Sequence, residues 1–430
     1  MRKLFRNFVK NTIAFRTQAG FKTQPALIRY IKIINTVKKQ TKAIRIQAER
    51  SQNREHSVPL YLTSSFTFES AEQGRAIFAE EEEGNIYSRY QNPNVDEFVD
   101  KMCMLENTED GIAFATGMAA NFAAMGGLLQ SGDHVVASKA LFGSCIQILT
   151  KILPKWGIMC TFVDGIDLKQ WEAAIQPNTK FLFCESPSNP GLELIDIEAI
   201  CQLKAKHNLI LAIDNCFATP IIQTPADWGA DLVIHSATKY IDGQGRVLGG
   251  VICGRADLIK EIRFFARHTG PSMSAFNAWV LSKSLETLDL RMEKHSSNAM
   301  KLALALEKHP ALHEVKYPFL LSHPQYNLAK KQMKMGGAIL TIDVKGGFEV
   351  VNEMSKYLKI ASISPNLGDT RTIITHPAST THSKLTADQK AEVGITDGLV
   401  RIAVGLEAVE DLITDFEQAL EKALVGSLVS

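Results

Sequence analysis

Paired-cysteine spacing is missing from this 430-residue chain. Its seven cysteines, Cys103, Cys145, Cys160, Cys184, Cys201, Cys216 and Cys253, stand far apart. That excludes the CxxC motifs of zinc sites and thiol redox centres. An odd number, mostly inside apolar runs, points to reduced thiols in a cytosolic-type compartment. The eleven histidines contain no HExxH, so no metal is expected. Long unbroken apolar runs are also missing. The longest weakly polar stretch, Ile112–Leu129, is interrupted by Thr116, Asn121 and glycines, and reads as a buried strand-to-helix unit rather than a membrane span. Acidic residues are absent from the first 48 positions, which hold 12 Lys or Arg; with an overall charge of +1, the remainder carries −11. A body of that sign has no general attraction for nucleic acid.

The basic leader, residues 1–41, is expected to be disordered. Being Arg-rich, acid-free and interrupted by apolar residues, it is also similar to a mitochondrial transit peptide. A membrane-surface helix is a third reading. It lacks the long apolar segment of a secretory signal, so the protein is expected in the cytoplasm unless the leader directs mitochondrial import.

At this length, two domains sharing a large interface are expected. With 45% hydrophobic and 22% charged residues, the composition is that of an ordinary globular enzyme. From Gly111 to Gly254, short apolar runs alternate with amphipathic stretches. Ile112–Ala115, Asp133–Ala137, Met159–Val163, Phe181–Cys184, Leu209–Ile213, Leu232–Ile234 and Gly250–Cys253 read as strands. Met118–Gln130 and Ile197–His207 read as helices. The pattern predicts an α/β fold, a mostly parallel sheet covered by helices. Leu258–Leu306 reads as long helix around a loop at Pro271. Strands at Gly336–Val344 and Leu399–Val404, with helices at Phe348–Leu358 and Val409–Leu424, predict a smaller C-terminal α+β domain. The divisions expected are an arm over 42–95, a cofactor domain over 96–295 and a C-terminal domain over 296–430.

Ligand sites in parallel sheets lie beyond the strand C-termini. Two chemically suggestive residues fall there, Asp214 after Leu209–Ile213 and Lys239 shortly after Leu232–Ile234. Alone, each is commonplace: a lysine after a strand is usually a solvated charge, and an acid there is often a helix cap. Together they are what a pyridoxal phosphate enzyme requires. The lysine amine binds the cofactor aldehyde covalently, and the carboxylate keeps the ring nitrogen protonated. Thr116-Gly117-Met118 stands at a helix start, where backbone N–H groups and the helix dipole favour a phosphate. Ser236 and Thr238 offer hydroxyls to the same group. Such a cofactor confines the chemistry to amino acids or amines.

The chain resembles the Cys/Met-metabolism, or trans-sulfuration, family of pyridoxal phosphate enzymes, of aminotransferase fold type I. The resemblance rests on Tyr87-Ser88-Arg89-Tyr90-x-Asn92-Pro93, Thr116-Gly117-Met118-Ala119-Ala120, Leu141-Phe142-Gly143, Glu185-Ser186-Pro187-Ser188-Asn189-Pro190, Asp214-Asn215, Ser236-Ala237-Thr238-Lys239-Tyr240 and Val400–Glu407. It runs from residue 42 to 428. It implies that Tyr87 and Arg89 reach a neighbouring subunit's phosphate, making a dimer with shared sites that assembles to a tetramer. It also implies that Phe142 stacks on the cofactor ring and that Asn189 contacts cofactor and substrate. Arg401 and Asn366 are implied to hold the substrate, Arg401 by clamping its α-carboxylate.

Two features narrow the subtype. Phe142 stands where many lyases and synthases of the family carry tyrosine; it keeps the stacking surface and lacks the hydroxyl. The run Ser364–His382, with Asp242–Arg246, is most similar to O-succinylhomoserine sulfhydrylases. The resemblance therefore implies replacement of an acylhomoserine's γ-substituent by sulfide, giving homocysteine for methionine biosynthesis. Cystathionine γ-synthase and γ-lyase are the alternatives. A plain aminotransferase fits poorly with the Tyr87–Arg89 motif, and a non-catalytic binding protein would have lost the lysine. Arg371 is a candidate second carboxylate clamp.

Overall fold

The computed structural model describes residues 37–429. Most of the basic leader lies outside the described residues. Its end does not: Lys39–Arg45 is a helix, and Lys39 Nζ donates to Pro220 O at 2.9 Å and Thr224 Oγ1 at 2.6 Å. This helix thus starts three residues before the arm expected from residue 42.

The larger sheet has seven strands: β1 Asp110–Phe114, β2 His134–Ser138, β3 Met159–Val163, β4 Thr179–Glu185, β5 Ile210–Asp214, β6 Leu232–Ser236 and β7 Gly250–Gly254. Their spatial order is β1-β7-β6-β5-β4-β2-β3. Six strands share one direction, β2 to β6 in parallel pairs, and β7 alone runs against them, antiparallel to both β6 and β1. Both faces are covered, which is why these strands read as continuous apolar runs. Alternation survives in where the side chains go. Val135, Phe181, Phe183 and Ala212 pack with the helices Gly117–Gly126 and Ala256–Thr269. Val136, Leu182, Leu211 and Ile213 pack on the other face with Ile197 and Ile200 of the helix Ile197–His207.

The stretch expected as long helix over Leu258–Leu306 is three helices, Ala256–Thr269, Ala275–Leu285 and Leu288–Leu306. Gly270 ends the first in a left-handed conformation, and the Ser274 side chain caps the second. The third runs through position 296, the boundary expected between domains. Leu288 and Met292 pack in the cofactor-domain core, whereas Ala299, Leu302, Ala303 and Leu306 pack in the C-terminal one.

The smaller sheet contains β8 Leu312–Lys316, β9 Ile339–Val344, β10 Ser362–Ile363, β11 Ile373–Thr375 and β12 Leu399–Ala403, in the order β10-β11-β12-β9-β8. The helices Gly347–Tyr357 and Val409–Val429 accompany it. The arm is irregular apart from the helices Lys39–Arg45 and Ala71–Phe78. It leans on its own chain in places, as where Trp279 Nε1 donates to Val58 O at 3.0 Å, while Leu62 is 73% exposed. Among the described residues no helix is long and apolar enough to cross a membrane.

Candidate active site

Asp214 ends β5 and Lys239 follows β6 by three residues, so both emerge at the same edge of the sheet. Asp214 is buried. Its Oδ1 accepts from Cys216 N at 3.0 Å and its Oδ2 from Asn121 Nδ2 at 3.3 Å. Burial raises the carboxyl's pKa, while the two hydrogen bonds and His235 act against that rise. An anion held there in low dielectric is best satisfied by a cation on its open side. Burial likewise lowers the Lys239 pKa, favouring the neutral amine that a nucleophile needs.

Gly117 starts the helix Gly117–Gly126, whose Thr116 side chain accepts from Ala119 N. A Cβ on Gly117 would lie 2.6 Å from Ser236 Cβ. Only glycine lets this helix N-terminus sit against the end of β6, with the first N–H groups, Met118 among them, free of intrahelical partners. Ser236 is therefore brought to the helix start. Thr238 is partly engaged: its Oγ1 accepts from Gly249 N at 3.1 Å and lies 3.3 Å from Gly249 O.

The smaller sheet contributes the other wall. Gly368, at φ +78°, packs so closely that a Cβ would stand 2.5 Å from Tyr240 N. The loop that carries it brings Asn366 to the lysine, and Lys239 Nζ donates to Asn366 Oδ1. Arg401, from β12, is 1% exposed. It donates to Asn189 Oδ1 at 2.9 Å, Thr375 Oγ1 at 3.1 Å, Asn366 O at 3.1 Å and Pro365 O at 3.3 Å. Every one of these acceptors is neutral, and its Nε is buried without a partner. Burial pulls the guanidinium pKa down to about 10. A buried cation with one unspent donor is suited to an incoming carboxylate.

Lys239, Asn366, Arg401 and Asn189 are linked by hydrogen bonds, Lys239 N donates to Ser236 O at 3.2 Å beside Gly117, and Asn121 ties Asp214 to Gly117 O, which makes one site between the two sheets. Phe142 joins it through Glu185, whose Oε2 accepts from Phe142 N at 2.9 Å. Tyr87 and Arg89 stand apart. Arg89 donates to Arg267 O, its guanidinium lies 4.5 Å from the Tyr90 ring centroid, and both residues line an open cavity of about 500 Å³ that Lys239 and Asp214 do not line. Arg371 is committed elsewhere: it is 67% exposed and pairs with Asp369 at 2.8 Å.

Two residues had no assigned role in the sequence reading. Asn121 appears there only as a polar break in an apolar stretch, yet it donates to Asp214, and its Oδ1 is buried without a partner. Glu185 opens a recognised motif, but only strand pairing reveals that it is level with Asp214 on the neighbouring strand.

The helix-start cradle at Gly117, the buried carboxyl of Asp214 and the unspent donor of Arg401 fit pyridoxal phosphate with an amino-acid substrate. Fold and cleft together define a pyridoxal phosphate enzyme of the aminotransferase type. The chain belongs to the Cys/Met metabolism PLP-dependent enzyme family, whose model matches residues 40–421. It is 46% identical to the O-succinylhomoserine sulfhydrylase of Pseudomonas aeruginosa over 380 residues, covering 88% of this chain and 94% of that one. It is 44% identical to the L-methionine gamma-lyase of Porphyromonas gingivalis over 371 residues, 86% of this chain and 93% of that one. Among solved structures, a putative O-acetylhomoserine (thiol)-lyase of Campylobacter jejuni with N'-pyridoxyl-lysine-5'-monophosphate matches with a TM-score of 0.86. Its sequence identity is 35%, over 90% of this chain and 100% of that one.

Proposed function

We propose that this protein replaces the acyloxy group of an O-acylhomoserine, O-succinylhomoserine in particular, with sulfur from sulfide. The products are homocysteine and succinate, and the role is in methionine biosynthesis. Pyridoxal phosphate, when bound, supplies an electron sink for the negative charge that develops beside the amino-acid nitrogen.

The residues divide the remaining work. Lys239 Nζ holds the cofactor covalently, then moves the proton between substrate carbons, a task that burial suits it for by favouring the neutral amine. Asp214 keeps the ring nitrogen charged. The helix start at Gly117 and Met118, with Ser236 and Thr238, receives the phosphate. Arg401 clamps the α-carboxylate, with Asn189 and Asn366 fixing the plane of its guanidinium. Tyr87 and Arg89 serve the partner subunit's phosphate in a dimer with shared sites, in keeping with their separation from Lys239 of their own chain.

Phe142 is the observation that carries the sulfide reading. The residue is 37% exposed and its backbone is tied to Glu185 beside Asp214, yet it has no hydroxyl to move protons for elimination. Arg371 supports it further. Cysteine as nucleophile brings a second carboxylate, and the candidate clamp for it is already paired with Asp369. A γ-lyase activity is the second reading, favoured by the 44% identity to L-methionine gamma-lyase.

Rates with acetyl-, succinyl- and phosphohomoserine, each against sulfide and cysteine, test the proposal. The succinyl ester with sulfide gives the highest kcat/KM. Cysteine equal to or better than sulfide makes the protein a cystathionine γ-synthase instead.

A further inference from the structure

We propose that Glu185 is a positioning residue of the active site, fixing the Phe142 ring by holding the Phe142 backbone N–H from a seat beside Asp214. The proposal rests on the reading of Phe142 as the residue that stacks on the cofactor ring.

Glu185 is the last residue of β4 and is level with Asp214, the last of β5. In-register neighbours on parallel strands point to the same face, so the two carboxyls stand side by side at the floor of the cleft. Glu185 is buried, and its Oε2 accepts from Phe142 N at 2.9 Å. No cation pairs with it among the described residues.

The loop it holds has little else at that point. Its other ties to the sheet come earlier, where Lys139 N is bonded to Val163 O at 2.9 Å and Ala140 N to Ser138 Oγ, while Leu141 N bonds to Lys139 O within the loop. Leu141 is buried, whereas Phe142 is 37% exposed. Phe142 also begins the short helix Gly143–Gln147, its carbonyl accepting from Cys145 N at 2.8 Å. The Glu185 bond is therefore the tie from the sheet nearest to the start of that helix and to the base of the ring.

A carboxyl in this seat works best neutral. Burial and the adjacent Asp214 both raise its pKa well above the ordinary value, against weaker opposition from the Phe142 N–H and Arg401. The thiols of Cys145 and Cys216 also face it. A neutral acid still offers a carbonyl oxygen to Phe142, and it leaves Asp214 as the one carboxylate of the pair to carry the charge that would hold the ring nitrogen. An amide would do both as well.

The test uses the full chain prepared without cofactor and titrated with pyridoxal phosphate. Binding is followed by tryptophan fluorescence, and the ring's orientation by the visible circular dichroism of the bound cofactor. Glu185→Met, which keeps the length without the acceptor, raises the dissociation constant about tenfold, the worth of one net hydrogen bond. It also reduces the visible dichroism as Phe142→Ala does. Glu185→Gln stays within about twofold of the parent in both, on the same scale.

Normal dichroism and affinity in Glu185→Met overturn the proposal, as does a Glu185→Gln variant as damaged as Glu185→Met. Should Glu185→Met fail to fold, Glu185→Asp, one methylene short of Phe142, takes its place with the same expectations. Normal dichroism in Phe142→Ala sinks the stacking reading itself, and this proposal with it. A disturbed Phe142→Ala beside a normal Glu185→Met sinks the proposal alone.

Discussion

Replacing Arg401 with leucine separates substrate binding from folding, because the structure gives the two effects different sizes. The guanidinium is buried among four neutral acceptors, with Nε unpartnered and no carboxylate paired to it among the described residues. Its removal leaves those acceptors without a donor, a loss for the fold. It also removes an uncompensated buried cation, which is a gain. The opposing terms leave the stability of the cofactor-free protein within about 2 kcal/mol of the parent.

Substrate binding has no such compensation. A charge-assisted clamp on a buried carboxylate contributes about 3–4 kcal/mol, so kcat/KM falls roughly 200- to 1,000-fold at 1.36 kcal/mol per tenfold. Arg401→Lys keeps the charge but loses the fork, and falls between the two proteins. Initial rates over a range of O-succinylhomoserine concentrations, with thermal melts of the same preparations, provide the assay. A near-normal kcat/KM in Arg401→Leu, with a collapsed melting temperature, would refute the reasoning and make Arg401 a structural residue.

The other predictions concern cofactor, assembly and leader. Borohydride treatment of the yellow protein fixes the cofactor on Lys239, which peptide mass spectrometry reads directly; label elsewhere removes that residue from its role. Asp214→Asn retains cofactor but loses about 10²- to 10³-fold in kcat, as expected for a fixed charge aimed at the reacting system; a normal rate would give the carboxylate another task. Mixing inactive Arg89→Ala with inactive Lys239→Ala chains restores about a quarter of the sites, because half of randomly formed dimers are hybrids with one good site. No recovery in demonstrably mixed dimers means each chain builds its own site. Deleting residues 1–36 leaves kinetics and oligomer unchanged, whereas removing Lys39 as well lowers the melting temperature through the lost contacts to Pro220 and Thr224; loss of folding in the shorter deletion contradicts this.

The alternating layers were legible because burying both faces of a parallel sheet leaves short apolar runs separated by amphipathic helices. The placement of Lys239 and Asp214 at one edge of the sheet was legible for a related reason: a charged residue at the end of such a run stands at the edge where ligands bind. Strand direction was not. Gly250–Gly254 carries the same apolar signal as its neighbours although it runs antiparallel, since periodicity reports burial rather than polarity. β8 escaped because its exposed His313 and Glu314 blur the pattern. The break between Leu285 and Leu288 carries neither proline nor glycine, the usual punctuation. Within the cleft, Asn121 and Glu185 act through partners 93 and 43 residues away, Asp214 and Phe142. Pairings that distant exist only once the chain is folded. The exposed pair Arg371–Asp369 shows the converse, a cation that sequence offered as a clamp and a near neighbour had already taken.

The partition of O-succinylhomoserine under saturating sulfide tests the proposed reaction most directly. Homocysteine and succinate, formed one for one with negligible 2-oxobutyrate and ammonia, are the products expected of a γ-replacement enzyme whose Phe142 has no hydroxyl. Abundant 2-oxobutyrate in the presence of that sulfide, with methionine consumed at a comparable kcat/KM, would contradict the account and establish a γ-lyase.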